Sequence, residues 1–303
     1  MRLSAAVFSF VLFFFLIIPV KGLQAEQKGV PYFGREDSTK YIEVKNFHGG
    51  PGSVYYMDLV GSDIFEANLL YIRAGKIPPK SGIGEHKLIN MDVIYYISNG
   101  PVQVTVNGQT ALLPARSAVE CPMGSSIGIY NNSDKTLDWL CIAGSEEKGK
   151  GDALDLGTNL VNAKIESAAT FNWAQFDISK LPERGSAHDG KGSLFYTNLR
   201  LGAQFKFMSL SIMHALIPPD CSIGYHQHVN DAELYHVLLG SGRLTVNDYT
   251  WDVKPNDSFP CTFRDKHGIY NNTDKNLEIL ILFFPVKNPD GNNINLGDDL
   301  SGR

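Results

Sequence analysis

The stretch YHQHVNDAELYHVLLGSG, Tyr225 to Gly242, sets His226 and His228 one residue apart and Glu233 five residues beyond the second. Successive side chains of a strand point to opposite faces, so the two imidazoles share one face and can reach a single ion. VNDA then reads as a turn. Glu233 opens ELYHVLLG after it and can bring a carboxylate back beside the imidazoles, with Tyr235 and Val237 on its face. In PNDSFPCTFRDKHGIYN, turns at Pro255 and Pro260 lead to His267 on another strand.

The elements that must position these groups occur twice. HGGPGSVYYMDL from His48 matches HDGKGSLFYTNL from His188, IPPKSGIGEH matches IPPDCSIGYH, and GIYNNSDKTL matches GIYNNTDKNL, each at an offset of 140 residues. Two similarly folded units follow. Within each, short Val-, Ile-, Tyr- and Phe-rich segments alternate and are punctuated by Gly, Pro, Asn and Asp, as in VQVTVNGQTALL and RLTVNDYTWDV. Many short strands, tight turns and almost no helical periodicity predict an all-β chain with a sandwich or closed barrel in each unit. The boundaries read from this are a signal segment at 1–25, a first barrel at 26–145, a surface linker at 146–187 and a second barrel at 188–303.

These motifs resemble those of the cupin superfamily. GYHQHVNDAELYHVLLG resembles the first cupin motif and PNDSFPCTFRDKHGIYN the second in its loose form, with Asn256 where glycine is usual. Two such units imply a bicupin, two tandem jelly-roll β-barrels. The resemblance implies one divalent metal ion held by His226, His228, Glu233 and His267. At the equivalent positions the first unit keeps His86 but has Leu88, Val93 and Ile127. One imidazole facing three aliphatic chains cannot repay an ion's desolvation, so the metal is expected in the second barrel alone, the first being structural or substrate-enclosing.

Nitrogen-rich, thiolate-free ligation suits Mn, Fe, Co, Ni or Zn, and four ligands leave one or two positions for water or substrate. Such an ion can stabilise an enolate while a neighbouring C–H proton leaves. That chemistry also needs a proton-transfer group. Tyr235 is the first candidate, followed by Tyr225, Arg264, Tyr270 and His214, against barrel lining or packing as the plainer role. His214, in SIMHAL, reads as a hydrogen-bonded core histidine before a catalytic one, and His236, out of phase with Glu233, as an outward surface residue. His48 and His188 recur in Gly-rich loops, which suggests a shared backbone role. The functional expectation is a metal-dependent lyase, dehydratase or isomerase acting on a sugar acid or small oligosaccharide. The alternatives are an Fe(II) dioxygenase and a non-catalytic binding or storage-like bicupin.

Composition narrows the rest. A chain of 303 residues, 43% hydrophobic, can bury a sizeable core. A net charge of -5 without a basic patch argues against nucleic acid as a partner, and leaves a small molecule or oligosaccharide, with a homo-oligomer compatible. Arg2, the apolar run Ala5 to Val20 and small residues at Gly22 and Ala25 read as a cleavable signal for a secreted or periplasmic protein, without membrane attachment after cleavage; a retained anchor is the rival. Cys121, Cys141, Cys221 and Cys261 allow three complete pairings, with buried free thiols the favoured reading. The sequons at Asn131 and Asn271 occupy one repeat position and read as hairpin turns before glycan sites.

Overall fold

The alternating apolar segments become strands in two pairs of sheets, seven- and six-stranded in the first half of the chain and six- and five-stranded in the second. The structure is a computed structural model that describes residues 31–64, 68–199, 201, 205–206, 211–229, 231–285 and 293–303. The expected signal segment lies outside them. Each pair of sheets encloses its own apolar core, and the described chain is all-β, two tandem jelly-roll barrels.

The repeat offset holds strand for strand. Leu137–Ser145 lies antiparallel between Leu69–Ile77 and Met91–Ile97, and Leu277–Pro285 lies between Ser211–Ile217 and Asp231–Leu239. In the facing sheets, Ser126–Tyr130 lies between Gly82–Leu88 and Val102–Val106, and Lys266–Tyr270 between Ser222–Gln227 and Gly242–Val246. None of these central strands sits beside its sequence neighbours. The first motif therefore comes from both sheets of one barrel, and the two sheets close over its side chains.

Three expectations need correction. The segment 146–187 is not a plain linker. Its strands Ala153–Asp155, Ile165–Glu166 and Trp173–Gln175 extend the first barrel's sheets. ALDLGTNL, 153–160, is the repeat of NINLGDDL, 293–300, and both runs add an edge strand opposite the first histidine of their barrel, Asp155 to His86 and Asn295 to His226. Leu160 and Leu300, both buried, then close each barrel against Gly128 and Gly268. The residues before Ile42, assigned to the first barrel, run along the second as well: Gly34 bridges Ser258, Phe33 packs edge-on against Phe259, and Arg35 pairs with Asp257 at 2.8 Å.

The third correction is His236, expected to face solvent and in fact 2% exposed. Its face of the sheet packs on the other barrel. A core of Met57, Leu59, Ile72, Ile94, Tyr96, Leu140 and Ile142 from the first repeat and Ile212, Leu234, Leu280, Leu282 and Phe284 from the second joins the two. Pro31–Arg303 is one compact unit for that reason. A sheet buried on both faces loses the apolar-polar alternation that makes burial readable.

All four cysteines are free thiols, Cys221 half-buried and the others buried. The two sequon asparagines are fully buried. Asn271 Nδ2 donates to Ile217 O at 2.8 Å and Lys275 O at 2.7 Å, while its Oδ1 accepts from the Thr273 amide and hydroxyl; Asn131 repeats the pattern. Asn271→Ala should destabilise the protein by about 2–3 kcal/mol, because it strands buried carbonyls. Denaturant unfolding measures this, and an unchanged midpoint would contradict it. Intact mass after secretion from a eukaryotic host should show neither asparagine glycosylated.

Candidate metal centre

His226 is the next-to-last residue of the strand Ser222–Gln227, opposite His267 in register, and His228 lies just beyond that strand. Glu233 comes from the other sheet, on Asp231–Leu239 opposite Phe283 and Cys261. All four side chains are buried, and one ligand atom from each falls within 4.8 Å of the others. His226 Nε2 lies 3.0 Å from His228 Nε2, His228 Nε2 lies 3.1 Å from Glu233 Oε1, and His267 Nε2 lies 2.9 Å from Glu233 Oε2.

Outward hydrogen bonds decide what those atoms can do. His226 Nδ1 donates to Gly224 O at 2.8 Å, His228 Nδ1 to Asp231 Oδ1 at 2.6 Å and His267 Nδ1 to Asp265 O at 3.3 Å. A ring proton fixed on Nδ1 leaves the Nε2 lone pair facing inward, which is how outer partners prepare a histidine for a metal. Three lone pairs and a carboxylate thus meet in a buried interior, an arrangement that repels itself without a cation. The residues therefore fit a single divalent ion. Burial, with neighbouring imidazoles, holds His226 well below the ordinary histidine pKa, so it stays neutral and available. Burial also lowers His228, but its bond to Asp231 and the charge of Glu233 outweigh that and raise it. A proton at His228 competes with the metal.

The other candidates lie in different places. Tyr235 is buried against the cluster, its ring edge-on to His267 at 5.5 Å. Burial first, and the Glu233 charge second, raise its pKa far above the usual value, and it hydrogen-bonds Glu233. It keeps its proton and holds the carboxylate in place, which does not suit it to act as a base. Tyr225 donates to Asn247 O, Tyr270 donates to Asp220, and Arg264 is an exposed turn residue over Phe263. His214 is buried at the interface of the barrels, its Nε2 2.5 Å from Glu278 Oε1. The structure does not bring these four to the cluster.

The sequence assigns His188 a backbone role and no contact with the cluster. At φ 54 its backbone takes the left-handed conformation, and its carbonyl would sit 2.0 Å from a Cβ at position 224, so only glycine fits there. The loop does have the expected backbone role, but the ring has one too: it stacks on His226 at 3.6 Å, with Nδ1 3.0 Å from Asn295 Oδ1. His48 stacks on His86 in the same way at 3.9 Å and bonds Asp155. Recurrence of these loop histidines at 140 residues was the available signal.

Residues 213–283 match the sequence profile of the family described as Cupin domain. A relative from Thermotoga maritima, an oxalate-binding protein, is 28% identical over 100 residues, 33% of this chain and 83% of that one. Among solved structures, hazelnut vicilin (Corylus avellana) superimposes with a TM-score of 0.61 at 10% identity, over 90% of this chain and 91% of its own. Bacillus subtilis oxalate decarboxylase, a protein with Mn(II) centres, gives 0.58 at 12% identity, over 85% and 78%. Residues 213–283 thus match a cupin domain, and the chain as a whole has the fold of two tandem cupin-like barrels.

Two outcomes follow from the geometry. Chelator-treated protein titrated with Mn(II) should take up one equivalent. Asp231→Asn should weaken uptake by about 10–100-fold by loosening the His228 ring, read by calorimetry or EPR; unchanged affinity would contradict that role. Separately, burial pushes His236 down to about 4. The unfolded chain, with an ordinary histidine pKa of about 6.5, binds the proton first, so His236 costs no stability above that pH and progressively destabilises the fold as pH falls toward 4. His236→Gln should flatten this part of the pH–stability curve, measured by denaturant melts.

Proposed function

We propose that the second barrel holds one divalent transition-metal ion and through it binds a small carboxylate, oxalate foremost. The observation that carries this reading is the inward convergence of three Nε2 lone pairs and the Glu233 carboxylate, each imidazole held by an outward Nδ1 bond. Such an ion, when bound, accepts carboxylate oxygens at its remaining positions and draws charge from them. Two of the similar proteins, the oxalate-binding protein and oxalate decarboxylase, have oxalate in their names, which supports a ligand smaller than a sugar acid.

The chain's own residues favour binding before turnover. Among the described residues, the groups beside the four donors are each committed: Tyr235 to Glu233, Asp231 to His228, and His188 to Asn295. Tyr235 keeps Glu233 fixed, and the His188 ring shields one face of His226. The fold likeness to oxalate decarboxylase supports a second reading, a lyase that cleaves the bound carboxylate. Export to the periplasm or medium belongs to the same proposal; it rests on the apolar run from Ala5 to Val20, and N-terminal sequencing of the mature protein tests it.

Calorimetry with oxalate should show micromolar to millimolar binding to the Mn-loaded protein and none to the chelated protein or to Glu233→Gln. Binding that survives metal removal would overturn the reading. Formate and carbon dioxide release would establish the lyase, and oxygen uptake by the Fe-loaded protein would point to a dioxygenase instead.

A further inference from the structure

The two barrel interiors, aligned at the 140-residue offset, are polar in different places. Leu88, Val93 and Ile127, all buried, replace His228, Glu233 and His267 in the first barrel. On neighbouring strands the exchange runs the other way, with Arg73, Trp139 and Cys141 where the second barrel has Met213, Ile279 and Ile281. Loss of metal ligands alone would leave an apolar plug. The first barrel has gained a polar cluster of its own.

That cluster borders a cavity of about 20 Å³, with Tyr71, Tyr95, His86 and His48 completing its polar lining. The volume admits one water or one small functional group. Trp139 Nε1–H is buried without a hydrogen-bond partner, so it carries its full desolvation cost unless something in the cavity accepts from it. His86 Nδ1 donates to Gly84 O at 2.9 Å, which leaves Nε2 as an acceptor, and burial pushes the ring down to about 3 and keeps it neutral. Other polar groups of the lining have partners, His48 Nδ1 among them with Asp155 at 2.6 Å. Tyr71 and Tyr95 both hydrogen-bond Cys141, and Arg73 donates to Asp58 at 2.6 Å beneath the Tyr56 and Tyr71 rings.

The cavity therefore presents the Trp139 indole donor and the His86 acceptor, with the Arg73 charge already paired to Asp58. A carboxylate would meet the His86 lone pair, and a cation would meet the indole N–H and Arg73. A hydroxyl satisfies both groups, its oxygen accepting from Trp139 and its proton going to His86. We propose that the first barrel is a metal-free site for a small hydroxylated molecule, of the diol or polyol class, whose hydroxyl enters the cavity lined by Trp139 and His86. The side chain of Arg73 is 16% exposed and Tyr71 half-buried, so this wall reaches solvent and leaves room for the rest of such a molecule outside.

The test is a proton–nitrogen NMR titration of the full chain, metal-stripped, with ethylene glycol as probe and acetate as control. Three indole signals are expected, one per tryptophan. The Trp139 signal, assigned by its contact with Gly75 and its absence in Trp139→Phe, should shift saturably at millimolar probe while the other two stay fixed. His86→Phe should weaken this binding by about tenfold. Equal response to acetate, or no saturable shift of Trp139 in the wild-type protein, would overturn the proposal; neither reading requires the variants to fold, and neither depends on metal binding in the second barrel.

Discussion

Like partial charges forced together in a buried interior dominate this molecule. The three Nε2 atoms and the Glu233 carboxylate approach one another more closely than any of them would by choice, and the surrounding fold exists in large part to hold them there. Two sheets are needed because the donors come from both: His226 and His267 from one, Glu233 from the other. The outward bonds to Gly224, Asp231 and Asp265 keep each ring from turning away. An ion is the simplest group that turns this repulsion into cohesion.

The repeat provides an internal comparison. The first barrel preserves the loop histidine, the stacked pair His48 and His86, the edge strand at Asp155 and the closing Leu160, yet has aliphatic residues at three of the four ligand positions. The stack, the edge strand and the closing leucine are therefore scaffold that survives replacement of three ligand positions by aliphatic residues, and the ligand chemistry resides in the few positions that differ. It follows that His188 acts in the second barrel by packing on His226, as His48 does on His86, and that its recurrence reports architecture more than catalysis.

The candidate site was legible where its signal was local. The i, i+2 spacing of His226 and His228 depends only on strand parity, and the offset of 140 residues depends only on comparing the chain with itself. Glu233 and His267 required the motif resemblance, since a turn and an intervening hairpin separate them from the first two. Where long-range packing decides, the sequence was mute: His236 reads as outward because parity says which face a residue takes, and nothing local says that both faces are covered. The tail at 153–160 was readable as a repeat of 293–300, but its shared L-G-x-x-L is weak beside the longer matches, and a charged opening at 146–150 disguises it as linker.

The shared core also constrains how the barrels can move. Glu278 and His214, each 1% exposed, lie in the second barrel; Arg116 of the first reaches across to Glu278, and donates to Phe176 O from its Nε. Phe176 in turn stacks on both Tyr96 and His214. A buried carboxylate is tolerated only with its partners in place, and Glu278 Oε2 already lacks one. Separating the barrels would strand that charge and expose the apolar surface around it, so rigid-body opening is disfavoured. A ligand of the kind proposed for either interior would then have to enter by local movement of that barrel's own walls rather than by separation of the two barrels.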